Sequence, residues 1–197
     1  MMRRQLRPFR DAAKCIETGD LLLFRARWRP SSLLIGRAGR SEYVHAARAA
    51  WEAGELRLLD TLQGRGARNV SLRDQVDRFP GSWDVFETNP GNIAEALGGE
   101  YSADAAVAKI QEYVGRPYGW LAILRAALVH LPFMRLYVRP DVDDGSTITS
   151  PPFCSQLAVI GDRAGGFDPV PHLADRLTEP GDLARSLFYR YRFTLEP

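Results

Sequence analysis

Two strand-like runs, Glu42 to Trp51 and Glu55 to Leu62, meet at Ala53-Gly54, and that junction constrains the fold more than any other feature of the chain. A two-residue link ending in glycine suits a hairpin turn that needs positive φ, so the two runs are expected to pair antiparallel. Gly19-Asp20 ahead of Leu21-Leu-Leu-Phe24-Arg25 reads as a turn feeding a further strand. Within the second hairpin run Leu56, Leu58 and Asp60 share a face by the two-residue period, so an acid ends an otherwise apolar row. His45 stands on the neighbouring run. From there a carboxylate can bond the far imidazole nitrogen, fix its tautomer and stabilise the imidazolium. Each residue also has a plainer reading: His45 as a satisfied half-buried histidine, Asp60 as a strand end entering the turn at Gln63-Gly64.

Far along the chain, Pro151-Pro-Phe-Cys154 opens an apolar stretch with Leu157, Ala158 and Gly161 at helical spacing. The prolines impose an extended approach, which places Cys154 in the first turn of a helix. Only a thiolate is a good nucleophile, and two kinds of help favour one here: the partial positive charge of a helix N-terminus, and a histidine that takes the proton. On the residues alone Cys154 also suits a small buried hydrophobe, which is what most lone cysteines are. His130 and His172 compete with His45 as the base. His130 lies in an apolar stretch and His172 in the proline-restricted Pro169-Val-Pro-His-Leu173, and neither has the strand setting of His45.

In order and spacing, several segments resemble the circularly permuted, YiiX/YebB-like branch of the NlpC-type, papain-like cysteine hydrolases, which are related to lecithin:retinol acyltransferase-like enzymes. The segments are Gly19-Asp-Leu-Leu-Leu-Phe24, Ser31-Ser-Leu-Leu-Ile-Gly36 leading to Tyr43-Val-His45, Leu58-Leu-Asp60 with Gly64-Arg-Gly66, Gly115-Arg-Pro-Tyr118-Gly119, Phe153-Cys-Ser-Gln-Leu157 and Thr178-Glu-Pro-Gly-Asp182. Permutation accounts for the histidine preceding the cysteine. The resemblance implies an α+β fold, an antiparallel sheet or small barrel packed against helices that include the nucleophile helix. It implies Cys154 as nucleophile, His45 as base and Asp60 as the third polar residue, with Gln63 as the fallback because Asp is shorter than the Glu or His common there. Tyr118 is then expected beside the nucleophile as a donor to the substrate carbonyl, or else as a turn tyrosine packed on Trp120. The implied activity is cleavage of an amide bond by an acyl-enzyme route, in a cell-wall (peptidoglycan) peptide, with a lipid acyl hydrolase or transferase as the alternative. A reading of another class is a binding or structural module, for instance in a phage or secretion assembly. Ala46-Ala-Arg-Ala49 departs from the branched run usual after the histidine.

Composition fits this frame. The 197 residues are 45% apolar, with no linker or internal repeat, enough for one full core. Residues 1–18 are expected to form an N-terminal helical extension, with a helix over Phe9 to Thr18, and 19–197 a single catalytic domain. The net charge is +2, and of 26 basic residues only Lys14 and Lys109 are lysines. The arginines are scattered rather than gathered in a stripe, which argues against nucleic acid as a partner. Arg3, Arg4, Arg7 and Arg10 are read as a solvated tail or helix face, with a phosphate or membrane contact as the lesser alternative. Cys15 and Cys154 are expected to stay unpaired, since a thiolate nucleophile must remain reduced. No signal peptide is evident, so cytoplasmic synthesis is the default, with release or particle association as the route to a wall substrate.

Ser102 to Val114 has the spacing of a core-facing amphipathic helix closed by Gly115 and Pro117. Trp120 to Val138 is richer in apolar residues but broken by Arg125, His130, Pro132 and Arg135, so no transmembrane segment is expected. It reads as a buried helix with an extension, or as an apolar wall or lid beside the site. The polar loop 139–152 holds Asp141, Asp143 and Asp144 without the ligand spacing of an EF-hand, and neither metal nor cofactor is assigned.

Overall fold

The computed structural model describes residues 4–26, 41–78, 81–119 and 151–196. The expectations for 27–40 and 120–150, including His130, the apolar stretch and most of the Asp-rich loop, lie outside them.

Strands β1 (Leu6–Pro8), β2 (Leu21–Ala26), β3 (His45–Glu52), β4 (Glu55–Leu62), β5 (Gly66–Ser71), β6 (Gly81–Thr88) and β7 (Tyr189–Glu196) form one sheet in the order β1-β7-β6-β2-β3-β4-β5. All neighbours pair antiparallel except β1 and β7, which run parallel. The sheet stays open rather than closing into a small barrel. Helices α1 (Phe9–Ala12), α2 (Leu72–Arg78), α3 (Pro90–Leu97), α4 (Ala103–Gln111), α5 (Cys154–Ala164) and α6 (Pro180–Arg185) complete an α+β architecture.

The β3–β4 hairpin turns where its sequence requires, with Ala53 at φ 48° and Gly54 at φ 81°. Period two then sorts the strands. One face buries Leu22, Phe24, Ala47, Ala49, Leu58 and Trp83 under α1 and α2. The opposite face buries Ala46, Ala50 and Leu59 against α5, whose Leu157, Ala158 and Ile160 pack there. Alanines at 46 and 50 explain the departure from a branched run: small side chains let α5 lie close to β3. Gly161 serves the same end toward α4, since a Cβ on it would meet the Ile110 Cδ1 at 2.7 Å and the Ala106 carbonyl at 3.0 Å. Helix α4 falls where the spacing placed it. The Ser102 hydroxyl caps it by accepting from the Ala105 N–H at 3.1 Å, and Ala106, Val107 and Ile110 are buried.

The helix expected over 9–18 is much shorter. It ends at Ala12, continues as a 3-10 turn over Ala13–Cys15, and turns extended at Ile16. Tertiary bonds claim the rest of the backbone. The Ile16 carbonyl accepts from the Trp51 indole at 2.8 Å, and the Glu17 N–H donates to Asp20 at 3.0 Å. Strand β3 also begins three residues later than expected, at His45.

Candidate active site

The site forms where two strands part. β3 and β4 pair only from Arg48↔Leu59 toward the hairpin, while β4 remains paired with β5 as far as Leu62↔Gly66. Residues 45–47 therefore have no ladder partner on the β4 side, and backbone alternation turns the Ala46 N–H toward the gap. The N-terminus of α5 enters there. Phe153, its cap residue, is extended at φ −96° and ψ 176°, and its side chain makes no capping hydrogen bond to the first turn. Cys154 accepts from two of the freed backbone donors, the N–H of Ala46 and that of Ser155. The Ser155 hydroxyl points away and donates to the Thr178 carbonyl at 2.7 Å, which ties the first turn of α5 to the chain ahead of α6.

His45 connects the thiol to Asp60. Its Nε2 lies 2.7 Å from Asp60 Oδ2, and it also hydrogen-bonds Cys154, which leaves Nδ1 for the sulfur. The edge of the ring stands against Trp83, with centroids 6.1 Å apart. Asp60 is fully enclosed and is gripped from its far side by Arg68, whose Nε and Nη2 donate to Oδ1 and Oδ2 at 2.7 and 2.9 Å. Among the described residues this gives a line of alternating charge, Arg68, Asp60, His45 and Cys154.

The electrostatics follow from the order of that line. Burial by itself pushes the Cys154 thiol up, but the His45 charge and hydrogen bond, with the two backbone N–H groups, outweigh it and hold the thiol below its ordinary value. Burial pulls His45 down, yet the Cys154 charge, the hydrogen bonds to Asp60 and Cys154, and the Asp60 charge raise it to about 10. Asp60 is pushed up by burial and brought below the usual carboxylate range by His45 and Arg68. Together these shifts favour the thiolate–imidazolium pair over the neutral thiol and imidazole.

Tyr118 and Gln63 reach the same place from outside the sheet. Residues 115–116 run beside β5, with Gly115 N–H to the Ala67 carbonyl and Ala67 N–H to the Arg116 carbonyl, both at 2.8 Å. Tyr118 is buried, hydrogen-bonds Gln63, and is held above its usual phenol range by burial and by the Cys154 charge. Next to it, Gly119 passes so close to Pro151 that a Cβ would lie 1.9 Å from the Pro151 carbonyl oxygen. Four of the sequence candidates, Cys154, His45, Asp60 and Tyr118, are therefore assembled in one place, and Gln63, exposed on its turn, joins them through Tyr118. Asp60 rather than Gln63 bonds His45, and Gln63 is directed to Tyr118. His172 is exposed on the turn ahead of Leu173.

Arg68 was absent from the sequence candidates. Its signal was the register: the hairpin through Gly64 pairs residues four positions to either side, Asp60 with Arg68. Both cysteines are free.

No protein-family model matches the chain, and no curated protein matches it. The fold is similar to that in the crystal structure of metalloprotein yiiX from Escherichia coli O157:H7, DUF1105, with a TM-score of 0.60 and 13% identity over 92% of this chain and 99% of that one. Among the described residues no three His, Cys, Asp or Glu side chains are grouped to hold a metal ion, and both Asp60 oxygens are committed to Arg68 and His45. Among them, too, no helix is long and apolar enough to cross a membrane. The yiiX-like architecture agrees with the branch named from the sequence, and at that identity it is a likeness of fold.

Proposed function

We propose that the chain is a cysteine hydrolase that cleaves an amide bond, with a cell-wall peptide as substrate. The observation that carries the proposal is the buried hydrogen-bonded run from Asp60 through His45 to Cys154, at a helix N-terminus where the Ser155 N–H, together with the Ala46 N–H of β3, bonds the sulfur. A degenerate binding or assembly module has no use for a thiol held below its ordinary pKa by three separate donors. The sulfur lone pair adds to the amide carbonyl, and negative charge moves to the carbonyl oxygen. The backbone N–H of Cys154 and the Tyr118 hydroxyl are the donors suited to receive it. The imidazolium of His45 then protonates the amine as the C–N bond breaks, leaving a thioester on Cys154. Neutral His45 takes a proton from water, whose oxygen adds to the thioester carbonyl. Collapse releases the acid and returns the proton to the pair. Asp60 stays ionised throughout and keeps Nε2 protonated. Synthesis in the cytoplasm would require release or particle association before the enzyme meets a wall peptide.

Limiting iodoacetamide across pH, with peptide mapping to separate Cys154 from Cys15, tests the chemistry. The expected result is fast labelling of Cys154 that persists below the pH of a free thiol and collapses in His45→Ala, with peptidoglycan-fragment hydrolysis falling about 10²–10⁴-fold in that variant. Slow labelling of Cys154 that His45→Ala leaves unchanged overturns the enzyme reading in favour of a binding module. Activated labelling with turnover of lipid acyl esters, but not of wall peptides, keeps the nucleophile and replaces the substrate.

A further inference from the structure

Arg68 is 12% exposed at its side chain, and Asp60 is fully enclosed, so their bidentate contact is a sheltered ion pair rather than a surface one. The fork fixes the plane of the carboxylate. With Oδ1 held by Nε and Oδ2 by Nη2, the carboxylate is turned so that Oδ2 also meets Nε2 of His45 at 2.7 Å. An arginine suits the task because two parallel N–H donors set an orientation that a single ammonium cannot. From these contacts we infer that Arg68 is a positioning residue for the reaction proposed above, aiming Asp60 at His45 and keeping it a carboxylate.

The groups around Asp60 give the effect its sign. His45 faces it from β3, Arg68 from β5, and beyond His45 stand Cys154 on α5 and Tyr118 from the segment after α4. Helix α2, which packs against β4 and β5, pairs its own charges, Arg73 with Asp77 and Arg78 with Asp74. Asp60 is depressed, so removal of Arg68 moves it up and it takes a proton at a higher pH. His45 then loses its anionic partner sooner on acidification, and the thiolate loses the imidazolium. Loss of a positive charge behind the pair also raises the thiol directly. Both consequences shift the acid limb of Cys154 reactivity toward higher pH.

This inference rests on Cys154 being the nucleophile, and the experiment separates the two. Cys154 alkylation and peptide hydrolysis are measured against pH in wild type, Arg68→Met, Arg68→Lys, Asp60→Asn and the Arg68→Met/Asp60→Asn double variant, with Arg57→Met as a cross-strand arginine outside the site. We expect the acid limb to rise by about one pH unit in Arg68→Met. In Arg68→Lys the limb stays near the wild-type value while kcat falls, because charge is restored without the fork. Once Asp60 is Asn, Arg68→Met adds only the smaller shift that the direct loss of charge leaves. An Arg68→Met limb that matches wild type overturns the positioning role. So does an Arg68→Lys enzyme with wild-type kcat, which decides the matter even if Arg68→Met does not fold. A wild-type thiol that is not activated sinks the proposed hydrolase instead.

Discussion

Tyr118 belongs to no helix or strand, yet it is buried beside the Cys154 sulfur and bonded to Gln63. Its phenol is held well above its usual range by burial and by the negative sulfur, so it stays protonated across working pH and remains a donor. A neutral donor next to a thiolate is of use when charge leaves the sulfur for the carbonyl oxygen. That division of labour separates two measurements. In Tyr118→Phe hydrolysis should fall about a hundredfold, the loss typical of one oxyanion donor, with most of the effect in kcat. Cys154 alkylation by iodoacetamide develops no oxyanion and should keep its wild-type rate and acid limb. If alkylation fell in step with hydrolysis, Tyr118 would be acting on the thiolate and not on the substrate.

Between elements, the dyad depends on a strand and a helix being held in fixed register. His45 and Arg48 are on β3, Cys154 and Asp162 on α5, and the second pair of contacts bolts the first in place. Arg48 and Asp162 are both fully buried and hydrogen-bonded to one another, Arg48 also reaches the Gly19 carbonyl at 2.7 Å, and Tyr101 donates to Asp162 at 2.7 Å. The Tyr189 hydroxyl joins both. Removing one member of such a pair leaves the other without compensation, so Arg48→Met should cost about 3–5 kcal/mol in urea unfolding and slow Cys154 labelling. Adding Asp162→Leu should return part of the stability rather than double the loss. It cannot return all, because two tyrosine hydroxyls lose their acceptor. Full additivity of the two substitutions would mean they do not act as one unit. The same contacts show what a sequence conceals. The face shared by Leu56, Leu58 and Asp60 beside the strand of His45, and the turn at Ala53-Gly54, are local, and period and link length disclose them. The helix start at Cys154 is local too, announced by two prolines. Arg48 and Asp162 stand 114 positions apart, and nothing near either names the other. Arg68 is intermediate: only the hairpin register through Gly64 makes it the partner of Asp60.

For the molecule as a whole, the segment before Gly19 is fastened to both ends of the fold. β1 extends the sheet beyond β7, with the Thr194 N–H donating to the Gln5 carbonyl at 2.8 Å and Arg7 lying over the Phe193 ring at 5.0 Å. Phe9, Ala12 and Ile16 sit in the core cluster with Leu22, Trp83 and Leu195. Arg192 donates back to the Cys15 carbonyl at 2.8 Å, and Trp51 to that of Ile16 at the same distance. Helical periodicity alone gave no view of these ties, because they join residues far apart in the chain. Their worth can be set against the total. Phe and Ile each contribute roughly 1.5–3 kcal/mol on full burial, while a domain of this kind is stable by about 5–15 kcal/mol. A chain beginning at residue 19 would give up those contributions and bare the apolar side chains of β7, Phe193 and Leu195, along a newly unpaired strand edge. We expect that shortened chain to aggregate, or to unfold without a cooperative thermal transition, and to lose selective labelling of Cys154. Size-exclusion chromatography and a thermal melt monitored by circular dichroism check this directly. A monomer that melts cooperatively, with Cys154 still reactive below the pH of a free thiol, would show that β2 to β7 stand without the N-terminal strand and helix.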